Sequence, residues 1–145
     1  MNSQTLELII YACIIWLASA LTSPAQTPTE IVTATIILEA GGEHSLGAME
    51  AVHEVIVNRS AKRKISKRDV CLQPYQFSCW NGMQVASQIA KAKSHSRWGE
   101  AFLITMDTAT NFTDGADHYH ADYCNPYWNK HMKVTAIIGR HIFYK

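Results

Sequence analysis

After residue 25 the most apolar stretch of the chain is Ile31–Leu38, broken only by Thr33 and Thr35. It is apolar on more than one face, which suits a short buried helix, although periodicity alone also allows a strand. Thr29 stands where it can cap that helix. Gly41-Gly42 ends it, because glycine takes left-handed backbone angles without a Cβ penalty. Met49, Val52, Val55 and Ile56 recur at helical spacing and predict a second helix, from an N-cap at Ser45 to about Arg59. A basic linker follows over residues 61–69. Pro74 then stops any helix. Gln76, Ser78 and Trp80 alternate with Tyr75, Phe77 and Cys79, which predicts an extended segment with one polar face. Helices are expected over Val85–Lys93 and Trp98–Ala109, the latter with Trp98, Phe102, Thr105 and Ala109 on one face. Late in the chain, His118, His120 and Asp122 alternate with Tyr119, Ala121 and Tyr123, as in a strand. Ile137–Lys145 reads as a final strand able to pair with it. Helices first and a small antiparallel sheet late make the expected class α+β.

Residues 1–25 have a different pattern. Leu8–Leu17 is a near-unbroken apolar run, followed by the small-x-small triplets Ala18-Ser19-Ala20 and Ser23-Pro24-Ala25. The run is shorter than the roughly 20 residues of a membrane span. It reads as a secretory signal cut after Ala20 or Ala25. The preceding residues hold no Lys or Arg, so an uncleaved membrane anchor is the alternative. Either one places the protein outside the cytoplasm, in the periplasm or cell envelope.

Composition narrows the picture. The chain has 145 residues, 48% hydrophobic and 17% charged. That is enough for a real core and for one domain, over residues 26–145. A net charge of +1 gives no case for a nucleic-acid partner. Export permits disulfides. Of Cys71, Cys79 and Cys124, at most one pair can form, and the sequence does not choose it. A monomer is expected.

The candidate chemistry centres on Glu39, in the last turn of the apolar helix. A carboxyl that loses water near the negative end of a helix dipole tends to keep its proton, as a general acid must. Glu43 is the nearest second carboxylate. Most glycosidases use two carboxyl groups. A lytic transglycosylase needs one, which protonates the glycosidic oxygen and then takes a proton from the sugar's own 6-hydroxyl. Gln76 and Ser78, polar beside aromatic residues, suit a sugar groove, and His118, Tyr119 and His120 are further candidates to line it. The alternative is a metal-dependent amidase or peptidase, with His118 and His120 as ligands and Asp122 or His141 as a third. A non-catalytic wall-binding module is a third reading, in which a buried Glu39 would have no purpose.

Several motifs together resemble one family. Glu39-Ala40-Gly41-Gly42-Glu43 is similar to the E-A-x-G-E signature of SleB-like cell-wall hydrolases. Val57-Asn58-Arg59, Gln76-Phe77-Ser78, Gly115–Ala121, Pro126-Tyr127-Trp128 and Ile138–Tyr144 match further motifs of that family in order. The resemblance implies a lysozyme-like α+β fold and cleavage of peptidoglycan between N-acetylmuramic acid and N-acetylglucosamine, as a lytic transglycosylase. It implies Glu39 as the catalytic residue, a structural or supporting role for Glu43, and neither metal nor cofactor. Gly41 departs from the family pattern, which has a longer polar residue there. No separate peptidoglycan-binding domain is expected within residues 26–145, so a general sacculus or phage-lysis role is as much expected as spore-cortex lysis.

Overall fold

The computed structural model describes residues 26–45, 47–107 and 111–145. The expected signal or anchor, residues 1–25, lies outside the described residues. Among those described, no helix is long and apolar enough to cross a membrane.

Helix α1, Pro28–Ala40, is the axis of the fold. Its cap is Thr27, not Thr29. Thr27 Oγ1 accepts from the Glu30 amide at 3.1 Å, and Glu30 accepts from the Thr27 amide at 2.9 Å. This reciprocal capping box places Pro28 at the first helical position, where its missing N–H costs nothing. All residues from Ile31 to Ile37 are buried, because the helix has neighbours on every side. They are α2 (Ala48–Arg63), α3 (Lys67–Leu72), α4 (Val85–Lys93) and α5 (Trp98–Met106). The two buried threonines are satisfied locally and across the core. Thr35 donates to the Ile31 carbonyl and accepts from the Trp80 indole at 3.0 Å, while Thr33 meets Thr105 at 3.1 Å.

Gly41 ends α1 for a different reason from the one expected. Its φ of −64° is right-handed. What requires glycine is proximity, since a Cβ there would lie 2.5 Å from the Ile37 carbonyl oxygen.

Helix α2 also differs from expectation. It starts after Gly47, whose φ is +84°, and not from a cap at Ser45. It runs on to Arg63, so the basic linker is largely helical: α3, capped by Ser66, takes up most of the rest. The segment expected to be extended instead turns through a 3₁₀ turn, Ser78–Trp80. Phe77 and Trp80 point inward and Ser78 outward, so the strict alternation fails. Helix α4 has the expected limits. Helix α5 ends at Met106 and buries Ala101 and Thr105, while Phe102 is exposed.

The sheet is antiparallel with strand order β1-β3-β2. Strand β1 is His118–Ala121, β2 is Val134–Ile138 and β3 is His141–Tyr144. The C-terminal segment is thus a hairpin, not a single strand. It turns at Gly139 (φ +59°), with an irregularity between Val134 and Ala136. Strand β3 pairs with β1 in the register Tyr119↔Phe143. A small cluster of Ala51, Val55, Ala116 and Phe143 fastens α2 to the sheet. Tyr119 and Ile138 pack against both this cluster and the helical core.

Candidate functional site

Glu39 is carried to the surface by the end of α1 and is half-buried there. Three donors from two other elements hold its carboxylate. The Ser78 hydroxyl and the Cys79 amide, both of the 3₁₀ turn, reach Oε1 at 3.2 Å each. The Tyr119 hydroxyl, from β1, reaches Oε2 at 3.0 Å. Tyr119 is itself fixed. Its ring stacks on Phe143 at 5.5 Å and meets the edge of His141 at 5.1 Å. Burial, then the charge of Glu39, push its hydroxyl well above the usual phenol range, so it stays a donor.

A groove of about 400 Å³ opens over Glu39. Gln76, Ser78, Asn81, Tyr119 and His120 supply polar edges to it, and Tyr75 and Tyr123 supply faces. Of its lining residues only Glu39 carries a carboxylate. A second compartment of about 370 Å³ adjoins it, sharing Tyr75, Gln76 and Tyr119 and adding Arg59, Arg63, His118 and Trp128. The structure therefore brings Glu39, Gln76, Ser78, Tyr119 and His120 to one groove and His118 to its extension.

Glu43 does not line either compartment. Its main-chain carbonyl accepts from Arg97 at 2.8 Å. Its side chain, with Ser45, lies against the β2–β3 turn: a Cβ on Gly139 would come within 2.6 Å of Glu43 Oε2 and 2.3 Å of Ser45 Oγ. Glu43 and Glu39 both act on His141. Burial holds the His141 imidazole below its ordinary pKa, against the pull of the two carboxylates.

The histidines of β1 are engaged with protein groups. His118 Nδ1 pairs with Asp117 Oδ1 at 2.6 Å. His120 bonds the Ala121 carbonyl and the Tyr144 hydroxyl, each at 2.8 Å. Both rings pack on Trp128, at 5.2 and 5.6 Å. Asp122 lies beyond the end of β1 and pairs with Arg140 at 3.1 Å, and His141 lines the Glu39 groove with its ring against Tyr119. Among the described residues, no three His, Cys, Asp or Glu side chains converge as a metal site would require.

Cys71, Cys79 and Cys124 are all free thiols. Burial pushes Cys71 up to about 12 and raises Cys79 as well, with Glu39 adding to the latter, so neither is a ready nucleophile.

Some of the site is invisible to residue patterns. The Cys79 donor is a backbone amide, which any residue would supply. Trp128 stood in the Pro126-Tyr127-Trp128 motif but, like Asn81, was not singled out as a site residue. Arg59 was readable as a charge without a known partner. It is buried and donates to the Asp117 carbonyl at 2.7 Å, bracing the strand that carries Tyr119.

A family model described as cell wall hydrolase matches residues 42–144. The matched span includes Glu43, the 3₁₀ turn and all three strands, and begins just after Glu39. No curated protein and no solved structure gives a significant match.

Proposed function

The chain belongs to the cell wall hydrolase family, and from that premise we propose that it cuts the glycan strand of peptidoglycan as a lytic transglycosylase, with Glu39 as its acid and base. The observation that carries this reading is the groove with one carboxylate, held from two sides by Ser78, Cys79 and Tyr119. A groove with a single carboxyl suits chemistry in which the sugar supplies its own nucleophile.

In the first step the Glu39 carboxyl proton passes to the glycosidic oxygen between N-acetylmuramic acid and N-acetylglucosamine. The bond from muramic C1 to that oxygen breaks, and N-acetylglucosamine leaves as an alcohol. The muramic 6-hydroxyl then bonds to C1, and its proton goes to the Glu39 carboxylate. The acid is regenerated, no water is consumed and the product is a 1,6-anhydro sugar. Tyr119 and the 3₁₀ turn keep the carboxylate in one orientation through both transfers, which is the positional part of catalysis. Gln76, Asn81 and His120 offer hydrogen bonds to sugar hydroxyls, and Tyr75 and Tyr123 offer faces to the CH side of the rings. Glu43 supports the β2–β3 turn and transfers no proton. Residues 1–25 direct export to the envelope or anchor the domain there.

The test is mass spectrometry of muropeptides released from purified sacculi by the full chain. Products ending in 1,6-anhydro-muramic acid are expected. Reducing muramic ends would replace the 6-hydroxyl by water and overturn the transglycosylase step. Cut peptides on intact glycans would overturn glycan cleavage itself.

A further inference from the structure

Arg59 and Arg63 lie one turn apart on α2 and face the same compartment beside the Glu39 groove. Their chemistry is unlike that of the other arginines. Arg68, Arg97 and Arg140 each meet a carboxylate at 3.1 Å or less. Arg59 and Arg63 meet only neutral acceptors among the described residues. Arg59 is 6% exposed, lies 5.2 Å over the Phe77 ring, and donates to the Asp117 and Gln76 carbonyls. Arg63 donates to Gln73 Oε1 at 2.5 Å. The nearby Asp117 carboxylate offsets only part of the burial of Arg59. Lys62 and His118 already hold it, and against burial they keep it below the usual carboxylate range. Two guanidinium groups without a direct ion pair among the described residues, one of them desolvated, beside an open polar compartment make a strong site for an anion.

We propose that Arg59 and Arg63 form a carboxylate-binding subsite for the stem peptide of N-acetylmuramic acid. This rests on peptidoglycan being the substrate. The peptide leaves the glycan at the muramic lactyl group, on the sugar whose C1 is attacked. A compartment sharing Tyr75, Gln76 and Tyr119 adjoins the groove proposed to hold that sugar. Stem peptides carry free carboxylates, which a guanidinium fork binds through two parallel hydrogen bonds. His118 and Trp128 wall the compartment with flat rings against which a peptide can lie.

The test is calorimetric binding to the full chain of N-acetylglucosaminyl-N-acetylmuramoyl tetrapeptide, which lacks the bond to be cut. It is compared with the same compound with its peptide carboxyls amidated, and with the peptide-free disaccharide, whose lactyl carboxylate is free. The free-acid peptide should bind roughly tenfold tighter than either, the scale of one charge-assisted hydrogen-bond pair. Arg63→Gln should erase that preference, and Arg63→Lys should restore part of it. Gln73→Ala, which removes the neutral contact of Arg63 but no charge, should retain it. Equal binding of the free-acid and amidated peptides would overturn the subsite. So would equal binding of the peptide-free disaccharide, which would assign the anion to the lactyl group. Loss of preference in Gln73→Ala would reduce Arg63 to a brace for its loop. Because no bond is cut, these outcomes stand apart from those for the Glu39 chemistry.

Discussion

Two clefts among the described residues, both holding acidic side chains, are built on opposite terms. The groove at Glu39 has one carboxylate, held by donors from a 3₁₀ turn and a strand. The cleft of about 340 Å³ between α2 and α5 is richer in acids, with Glu50, Glu100 and Asp107 around His53, but its remaining lining is Leu103, Ile104 and Phe112. His53 Nε2 is buried there without a hydrogen-bond partner, and Glu100 is tied to Arg97. The proposed sugar site is set apart not by its number of carboxylates but by one carboxylate fixed in direction, with polar edges and aromatic residues along a groove.

The largest effect should come from Glu39. Glu39→Gln is expected to reduce release of muropeptides from sacculi by at least ~10³-fold, with the circular dichroism spectrum unchanged. Glu50→Gln, in the other cleft, should stay within about twofold of the wild type. Comparable losses in both would erase the distinction between the clefts.

The second cleft should show itself in stability instead. Burial, with Lys67 adding to it, lowers the His53 pKa to about 4, against Glu54 and Asp107. Its folded pKa lies below its unfolded one, so between pH 6.5 and 4 the unfolded chain binds the proton and the folded one does not. Its contribution is present above pH 6.5 and is lost as pH falls towards 4, by up to about 3 kcal/mol. Urea unfolding at pH 7 and pH 4.5 should show that fall, and His53→Leu should flatten it. An equally steep fall in the variant would place the titration elsewhere.

Tyr119 tests the fixing of the carboxylate. Tyr119→Phe removes one of three donors from Glu39 and should cost ~10- to 30-fold in kcat on sacculi with little change in KM. A loss as large as that of Glu39→Gln would make Tyr119 a proton-transfer group. The smallest expected effect is that of EDTA, which should leave activity unchanged. Loss with rescue by zinc would bring His118 and His120 forward as ligands.

The buried parts of this fold were legible in the sequence where a rule acts over a few residues. The apolar run of α1 and the limits of α4 were readable in this way. The misreadings lie where the tertiary neighbourhood decides. Ser45 has the chemistry of a cap, but it is drawn against Gly139 by the hairpin turn, and the chain reaches helix only after Gly47. Residues 75–80 alternate as a strand does, yet the Trp80 indole donates to Thr35 and the backbone turns through a 3₁₀ turn. The hairpin was hidden because Val134–Ile138 has no polar alternation and is irregular at its start. Glu39, Gln76, Ser78, Tyr119 and His120, each singled out by its side-chain chemistry, line one groove. The Cys79 amide and the neutral acceptors of Arg59 and Arg63 depend on where the backbone goes, and no residue pattern encodes that.

Helix α1 carries Glu39 at its tip and is buried along Ile31–Ile37, so the interior and the proposed chemistry share one lever arm. Trimming a single buried methyl group at Ile36 or Val32 lets the helix settle by a fraction of an ångström, and its far end moves with it. Under the proposed mechanism, core changes that another protein would register only as lost stability are read out here as lost turnover as well.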